Sequence, residues 1–212
     1  MKALLLDLDG TLTDPKLGIT NCIRHAIQRL GREAPSADEL HWCIGPPLID
    51  SLRTLVGPSD AERALALYRE RFADIGMFEN TLYADIDVVV AAEAARDRRI
   101  FLATSKPHVF AKPILEHFGL ASHFAGIYGS ELDGTRIEKP DLLSYIVERE
   151  GISAGDAIMV GDRRFDVEGA RAIGAVSIWA DWGYGEDVER DAARPDMVCR
   201  SPADLKDMLE RF

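Results

Sequence analysis

Short apolar segments alternate with amphipathic segments over most of the chain. The apolar segments predict buried strands at Ala3–Leu8, Ile100–Ala103, Phe124–Tyr128, Ala157–Val160, Val176–Trp179 and Met197–Cys199. Between the later strands, apolar residues recur at helical spacing, which predicts helices at Asp85–Arg98, Pro107–Phe118, Asp141–Glu150, Phe165–Ile173 and Pro202–Phe212. This alternation is typical of a parallel sheet covered by helices on both faces. The sequence therefore predicts a doubly wound α/β fold.

One stretch interrupts the alternation, because the pattern between about residues 15 and 80 is helical throughout. We expect a first helix over Leu17–Leu30, with Asp14 as its N-cap, Pro15 in its first turn and Gly31 as its stop. Further helices are predicted at Ala37–Cys43, Pro47–Val56 and Ser59–Ile75. We interpret residues 15–80 as a helical cap domain, a lid inserted into a core domain made of residues 1–14 and 81–212.

Composition and charge exclude several classes of protein. The 212 residues are 47% hydrophobic and 29% charged, as in an ordinary globular protein. The net charge of −11 disfavours nucleic acid polymers as partners, because their binding depends on neutralising phosphates. The three cysteines show no CxxC spacing, which indicates a reducing compartment. Because no signal peptide and no apolar stretch of about 20 residues is visible, we expect a cytoplasmic protein without membrane association.

The first predicted strand runs into the acidic segment Asp7-Leu8-Asp9-Gly10-Thr11. Residues two apart in a strand point the same way, so we expect Asp7 and Asp9 to project together from the sheet. Two adjacent carboxylates suit a nucleophile beside a general acid, with a divalent metal keeping the nucleophile ionised. Gly10 lets the backbone turn against a ligand, and with Thr11 it is a candidate for binding phosphate. The alternative is an acidic turn without a catalytic role.

Two further segments supply hydroxyl and cationic groups. Thr104-Ser105-Lys106 ends a predicted strand before a helix, where hydroxyls, backbone amides and the lysine can bind an anion. Capping of that helix by Thr104 or Ser105 is an equal alternative. Lys139 precedes another predicted helix and could neutralise a phosphate in the transition state. The alternative for Lys139 is a solvated surface lysine.

A second acidic segment, Gly161-Asp162 with Asp166 four residues later, follows the strand predicted at Ala157–Val160. In open α/β sheets, ligands bind at the carboxyl ends of the strands, where we expect Asp162 to meet Asp7. Hard oxygen ligands from Asp7 and Asp162 describe a Mg²⁺ site. We expect Asp166 to orient a ligand or water there, and we count Asp9 among the acidic residues around the ion.

Four such segments in this order resemble the motifs of haloacid dehalogenase-superfamily phosphatases, and the resemblance spans nearly the whole chain. It implies a Rossmann-like core with a helical cap inserted directly after the first motif. It also implies that Asp7 is the phosphorylated nucleophile and that Asp9 protonates the leaving alcohol and then activates water. The same resemblance assigns phosphoryl binding to Thr104 and positioning of nucleophile and phosphate to Lys139. It places Mg²⁺ at Asp162, with Asp166 nearby.

Other segments resemble the 5′-nucleotidase-like branch, close to the phosphoglycolate phosphatases: Ile44–Leu48, Gly76–Tyr83, Ala103–Pro107 and Gly129–Arg136. The chain departs from the usual pattern at Pro15, where a small hydroxyl residue often follows the acidic segment. We therefore expect a Mg²⁺-dependent hydrolase of small phosphomonoesters, with nucleoside 5′-monophosphates preferred and phosphoglycolate as the alternative. Monomer and homodimer both stay open.

Substrate selection is expected from the cap domain. Gly45 lies in a rigid turn that could face the substrate, and Arg53 could meet a second anionic group, although a solvated arginine is the alternative. Trp182 and Tyr184 follow the last of the strands that carry these motifs. We expect them to pack beneath the cap, with a position beside the site as the alternative.

Other activities of the superfamily fit less well. Asp9 argues against a dehalogenase, since a halide leaving group needs no proton. A phosphonatase needs a lysine in the cap, where Lys16 at the hinge is the sole candidate. A phosphomutase shares the acidic residues and stays possible. A non-catalytic protein that binds phosphorylated metabolites would be expected to lack Asp7, Asp9 or Asp162, and all three are present.

Overall fold

The protein folds into two compact units. The computed structural model describes residues 3–212, with the side chain of Ala154 left out. The first unit contains the chain up to Thr13 and from Leu82 onward, and the second unit contains Asp14–Thr81. These boundaries lie close to those that we expect for a core domain and an inserted cap domain.

The strands are β1 (Ala3–Leu6), β2 (Thr13–Asp14), β3 (Thr81–Leu82), β4 (Ile100–Pro107), β5 (Gly126–Ser130), β6 (Ala157–Gly161), β7 (Val176–Ala180) and β8 (Met197–Cys199). In the described part of the chain, the first unit holds one parallel sheet in the order β5-β4-β1-β6-β7-β8. The short strands β2 and β3 pair with each other where the chain passes between the two units. The predicted parallel α/β fold is confirmed.

The helices are α1 (Lys16–Arg29), α2 (Leu48–Val56), α3 (Pro58–Asp74), α4 (Ile86–Ala95), α5 (His108–His117), α6 (Lys139–Glu150), α7 (Arg164–Ile173), α8 (Asp187–Ala193) and α9 (Pro202–Leu209). The first three belong to the second unit, and the others belong to the first unit. Over residues 3–212, every helix falls short of the length and apolar character that crossing a membrane requires.

The core of the first unit lies between the sheet and its helices. The central strands are apolar throughout because both of their faces are covered. Leu5, Phe101 and Met159, from three neighbouring strands, form one buried cluster with Leu142 and Ile146 of α6. This packing holds the carboxyl ends of β1, β4 and β6 next to one another, and the polar side chains that follow these strands are therefore neighbours.

The strand prediction fails at the end of β1. This strand ends at Leu6 rather than Leu8. The next residue, Asp7, still donates a hydrogen bond from its amide to Val160 O of β6 at 3.0 Å. The chain then turns, with the Leu12 amide donating to Leu8 O at 2.9 Å. Asp7 and Asp9 therefore do not belong to the strand, and the prediction that strand alternation makes them project together is wrong.

Two predicted helix caps are also wrong. β4 continues to Pro107, which takes the N-cap position of α5, so Thr104 and Ser105 lie within a strand and do not cap that helix. The strand shifts register between Thr104 and Pro107, and this irregularity carries it past its predicted end. Pro15, and not Asp14, is the N-cap of α1. The Asp14 carboxylate instead accepts a hydrogen bond from the Lys16 amide at 3.0 Å.

The remaining differences concern short elements. The segment predicted as a helix at Ala37–Cys43 is a 3-10 helix over Asp38–Cys43. Helix α8 was not predicted, because Val188 is its single large apolar residue and one such residue makes no amphipathic pattern. In the structure, Val188 is 80% exposed.

Candidate active site

Three carboxylates meet at the carboxyl edge of the sheet. β1 and β6 are neighbours, with Leu6 paired to Val160, so Asp7 and Asp162 leave the sheet side by side. Asp166 joins them from the first turn of α7. All three residues are buried, and one oxygen from each lies within 4.8 Å of the others. Like charges at such distances repel strongly unless a cation lies among them.

Lys139 supplies one such cation. It is the first residue of α6, and its side chain is 3% exposed, so the alternative of a surface lysine is wrong. Its Nζ lies 2.9 Å from Asp7 Oδ1 and 2.7 Å from Asp166 Oδ1, and it donates a hydrogen bond to Ala103 O at 2.7 Å. This one ammonium group therefore connects three segments that are far apart in sequence.

The electrostatics of the cluster show an excess of negative charge. Burial, and then repulsion from Asp166 and Asp7, raises the pKa of Asp162 well above its ordinary value. Burial also raises the pKa of Asp166 to about 6, although Lys139 opposes that shift. Burial disfavours charge on Lys139, but the attraction of Asp166 and Asp7 is stronger in sum and raises the pKa of Lys139. One lysine does not balance three buried carboxylates.

Asp9 lies in a different environment from Asp7. Its Oδ2 forms an ion pair with Lys106 Nζ at 2.5 Å, and the cluster of three carboxylates does not include it. Its Oδ1 is buried and finds no hydrogen-bond partner among residues 3–212. Burial raises the pKa of Asp9, while the charge of Lys106 opposes the shift. Asp9 thus forms an ion pair outside the cluster, and burial and Lys106 act on its pKa in opposite directions.

Gly10 and Thr11 form the turn that brings the backbone against Asp162. Gly10 has a φ of +84°, and a Cβ at this position would lie 2.1 Å from Asp162 Oδ2, so only glycine fits without displacement. The amides of Gly10 and Thr11 donate to Thr13 O at 2.8 Å and to Leu8 O at 3.2 Å. Both predicted phosphate-binding amides are therefore already engaged within the turn. The Thr11 hydroxyl lies 3.5 Å from Asp162 Oδ1.

Thr104 and Ser105 lie near the end of β4, in the same region of the first unit as Lys106. Thr104 is 2% exposed, and its hydroxyl accepts a hydrogen bond from the Lys106 amide at 3.3 Å. The Ser105 hydroxyl donates to Ile137 O at 2.9 Å, two residues before Lys139. This bond connects β4 to the loop that leads into α6, and it uses the proton that Ser105 would offer to a phosphate.

The two predicted cap residues belong to the second unit. Gly45 has a φ of +105°, and Arg53 forms an exposed ion pair with Asp50, one turn earlier on α2, at 2.7 Å. Their roles in binding substrate stay predictions.

Trp182 and Tyr184, in the loop after β7, take the alternative position beside the site and make two contacts there for which the sequence named no partner. The Tyr184 amide donates to Asp162 Oδ2 at 2.7 Å, and the Trp182 indole donates to Thr11 O at 3.0 Å. The alternation of aromatic residues and glycine in Trp182-Gly183-Tyr184-Gly185 was the available signal. That pattern indicates a tight loop but does not reveal what the loop contacts.

The residues present fit a divalent metal ion. Asp7, Asp162 and Asp166 offer hard oxygen ligands, which magnesium and calcium prefer. Burial and repulsion raise the pKa values of Asp162 and Asp166, so a cation bound among the carboxylates would favour their ionised forms.

A buried carboxylate beside a lysine, next to a cluster of oxygen ligands, is an arrangement that phosphoryl transfer can use. The family comparison identifies the protein family, since residues 4–180 match the model described as haloacid dehalogenase-like hydrolase. The chain belongs to this family. Phosphatases of the family generally use a divalent metal, in agreement with the buried acidic cluster.

Similar proteins carry phosphatase names and one kinase name. The chain is 41% identical over 209 residues to a 5′-nucleotidase of Pseudomonas aeruginosa, covering 98% of this chain and 95% of that protein. It is 37% identical to the tyrosine-protein kinase PtkA of Mycobacterium tuberculosis, covering 86% of this chain and 62% of that protein. It is 27% identical to a phosphoglycolate phosphatase of Photobacterium profundum, covering 99% of this chain and 96% of that protein.

A solved structure agrees with this family. The crystal structure of a predicted phosphatase from Clostridium acetobutylicum superposes with a TM-score of 0.94 at 36% identity, covering 100% of this chain and 99% of that chain. Family, relatives and structure together support a phosphatase.

Proposed function

We propose that this protein is a Mg²⁺-dependent hydrolase of small phosphomonoesters, acting through an aspartyl phosphate on Asp7. The observation that carries the proposal is the position of Lys139, with its Nζ 2.9 Å from Asp7 Oδ1 and its side chain almost fully buried. The ion pair with Lys139 holds the Asp7 carboxylate in a fixed position, from which it can attack. The same ammonium group is available to the phosphoryl oxygens as negative charge develops on them.

In the first half of the proposed reaction, an Asp7 oxygen attacks phosphorus and the bond from phosphorus to the ester oxygen breaks. Asp9 gives its proton to the departing alkoxide, which leaves as the alcohol. Burial shifts the pKa of Asp9 upward, which is the direction that a general acid requires, although Lys106 opposes the shift. Thr104 and Lys106 are proposed to contact the phosphoryl group or the rest of the substrate. Ser105 supports them through its hydrogen bond to Ile137 O, and Gly10 and Thr11 shape the turn beside the phosphoryl group.

In the second half, Asp9 is a carboxylate and takes a proton from water as that water attacks the phosphorus of the aspartyl phosphate. The bond from phosphorus to Asp7 breaks, which restores the Asp7 carboxylate and releases inorganic phosphate. Lys106, 2.5 Å from Asp9, stabilises the carboxylate form between the two halves. Asp9 therefore begins and ends the cycle protonated.

Asp7, Asp162 and Asp166 are the residues that would hold Mg²⁺, with Asp9 adjacent to them. When bound, Mg²⁺ would neutralise charge on the carboxylates and on the phosphoryl oxygens. Asp162 Oδ2 accepts a hydrogen bond from the Tyr184 amide at 2.7 Å. Asp166 Oδ2 accepts one from the Arg163 amide at 3.1 Å. The carboxylates are thus oriented before any ligand arrives.

For the substrate, we propose nucleoside 5′-monophosphates first, because the relative at 41% identity is named a 5′-nucleotidase. Phosphoglycolate is the second candidate, supported by relatives of that name at lower identity. We further propose that the second unit acts as the cap domain, that Gly45 and Arg53 contribute to substrate choice, and that the enzyme works in the cytoplasm.

The experiment is an assay of phosphate release from nucleoside 5′-monophosphates, phosphoglycolate and sugar phosphates, with Mg²⁺ or with EDTA. We expect release that depends on Mg²⁺ and is fastest with nucleotides. A higher kcat/KM for phosphoglycolate would select the second candidate. Binding of phosphate esters without release of phosphate would contradict the proposal and favour a non-catalytic binding protein, whereas isomerised sugar phosphates would indicate a phosphomutase.

A further inference from the structure

The loop after β7, residues 182–185, makes two hydrogen bonds to two separate parts of the acidic site. The Trp182 indole Nε1 donates to Thr11 O at 3.0 Å, and the Tyr184 amide donates to Asp162 Oδ2 at 2.7 Å. Thr11 and Asp162 also approach each other, with the Thr11 hydroxyl 3.5 Å from Asp162 Oδ1. The loop thus joins the turn after Asp7 to the carboxylate that follows β6.

The fit of this loop is close enough to exclude other side chains. A Cβ at Gly183 would lie 2.3 Å from Asp162 Cβ and 2.4 Å from Gly10 O. A backbone oxygen cannot move aside as a flexible side chain would, so any larger residue at position 183 must displace the loop, the turn or Asp162. Gly183 is required because two backbone segments and a carboxylate meet around it.

Asp162 needs such support more than an exposed carboxylate would. It is 1% exposed, and one oxygen each from Asp7, Asp162 and Asp166 lie within 4.8 Å of one another. Hydrogen bonds to the charged form of a carboxylate favour ionisation and fix its orientation. A carboxylate that is held in advance loses less entropy when it binds an ion. Loss of a group that hydrogen-bonds to a metal ligand typically weakens metal binding by about 10- to 100-fold.

We infer that Trp182 and Gly183 are positioning residues for the divalent metal, which keep Asp162 and the turn after Asp7 in the arrangement that binds the ion. This inference rests on the metal site of the proposed function and extends it to residues outside the four acidic and basic segments. Trp182 acts through Thr11 and Gly183 acts by leaving room, so neither residue needs to touch substrate.

The test measures metal binding directly, without substrate and without turnover. Mn²⁺ serves as the probe in an electron paramagnetic resonance titration of the whole chain, with Mg²⁺ as the competitor. Trp182→Phe keeps an aromatic ring and removes the N–H donor, and Gly183→Ala adds the Cβ that the site cannot hold. The matched controls are Trp42→Phe, in the second unit, and Gly155→Ala, where a Cβ would meet nothing within 4 Å.

We expect Trp182→Phe to weaken Mn²⁺ binding by about tenfold and Gly183→Ala by more, up to about 100-fold. Both controls should bind as the wild type does. The free energy of unfolding in EDTA is measured for every variant, because a loop that only packs would lower that value without changing Mn²⁺ affinity. Wild-type affinity in folded Trp182→Phe or in folded Gly183→Ala would overturn the assignment of that residue, and wild-type affinity in both would overturn the inference.

This experiment separates the inference from the proposed function. If the wild type binds Mn²⁺ but releases no phosphate from any ester, the proposed activity fails and the titration still decides the role of the loop. If the wild type hydrolyses esters and the loop variants bind Mn²⁺ normally, the inference alone fails.

Discussion

Lys139 Nζ lies 2.9 Å from Asp7 Oδ1 in the interior of the first unit, where both side chains are at least nine-tenths buried. Lys139 begins α6 and Asp7 directly follows β1, so the packing of α6 on the sheet sets the distance between them. A buried ion pair of this kind adds little to stability in total, but removing one partner leaves an uncompensated charge. The pair therefore connects the stability of the fold to the chemistry of the site.

Lys139→Met is expected to lower the free energy of unfolding in EDTA at neutral pH by about 3 kcal/mol, since Asp7 and Asp166 lose their cation. Mg²⁺ should restore part of this loss by supplying positive charge. Urea unfolding with and without Mg²⁺ measures both effects. Lys112→Met is the control, because Lys112 is exposed and its ion pair with Glu116 is 3.8 Å long. Equal stability of Lys139→Met and wild type in EDTA would show that the carboxylates do not need the lysine.

The stabilisation by Mg²⁺ should grow with pH. Burial raises the pKa of Asp166 to about 6, and the pKa of Asp162 is also raised, so in the metal-free protein these groups keep protons that the unfolded chain has already lost. Their contribution to stability is therefore present at low pH and is lost as pH rises through the raised values. A metal must displace those protons, so its affinity increases over the same window.

Thermal unfolding of the wild type between pH 5 and 7.5, in EDTA and in Mg²⁺, measures this linkage. We expect the increase in Tm caused by Mg²⁺ to be small at pH 5 and to become larger above the pKa of Asp166, which is about 6. An increase that is constant across this range would contradict the assignment of Asp166 and Asp162 to the metal.

Asp9→Asn should slow the hydrolysis of alkyl phosphates by about 10² to 10⁴, the usual contribution of a general acid. Nitrophenyl phosphate should lose less, because nitrophenolate leaves without a proton. The ratio of kcat/KM for the two esters is the measurement, and Asp207→Asn, on an exposed position of α9, is the control. Equal losses on both esters would remove Asp9 as the acid of the first step.

Lys106→Gln should move the pH profile of kcat/KM. Burial raises the pKa of Asp9, and Lys106 holds that rise back, so removing Lys106 raises the pKa of Asp9 further. Because Asp9 must be protonated to act as an acid, activity falls above its pKa, and the alkaline limb of the profile should shift to higher pH. An alkaline limb that stays in place or moves to lower pH would show that Lys106 does not act on Asp9.

Much of the fold follows from local pattern. The strands of the parallel sheet are apolar on both faces, and the helices between them carry apolar residues at helical spacing. The sequence therefore predicts both kinds of element. The failures are places where tertiary contacts decide. β4 reaches Pro107 because it shifts register against β5, and α8 forms although its apolar residue Val188 is exposed. Neither feature leaves a periodic signal in the sequence.

In the candidate site, too, residue types were predictable from the sequence, whereas the contacts between them depend on the tertiary structure. The types of residue at Asp7, Lys139, Asp162 and Asp166 predict their chemistry. Parallel strand order brings the segments of Asp7 and Asp162 to one edge. The resemblance places Lys139 beside Asp7, and the structure has them 2.9 Å apart. The pairing of Lys106 with Asp9 and the second ion pair of Lys139 with Asp166 had no signal in the sequence. The hydrogen bond from the Tyr184 amide to Asp162 was also beyond prediction, because a backbone donor leaves no trace in residue type.

Covalent phosphorylation of Asp7 is the most direct test of the account. A single turnover with nucleoside 5′-monophosphate is quenched in acid and reduced with borohydride, which converts an aspartyl phosphate to homoserine, and the position is read by mass spectrometry. We predict homoserine at position 7 in the wild type and none in Asp7→Asn, which should fold normally and turn over at well below about a tenth of the wild-type rate. Homoserine at another position, or an Asp7→Asn variant that retains that tenth, would contradict the account.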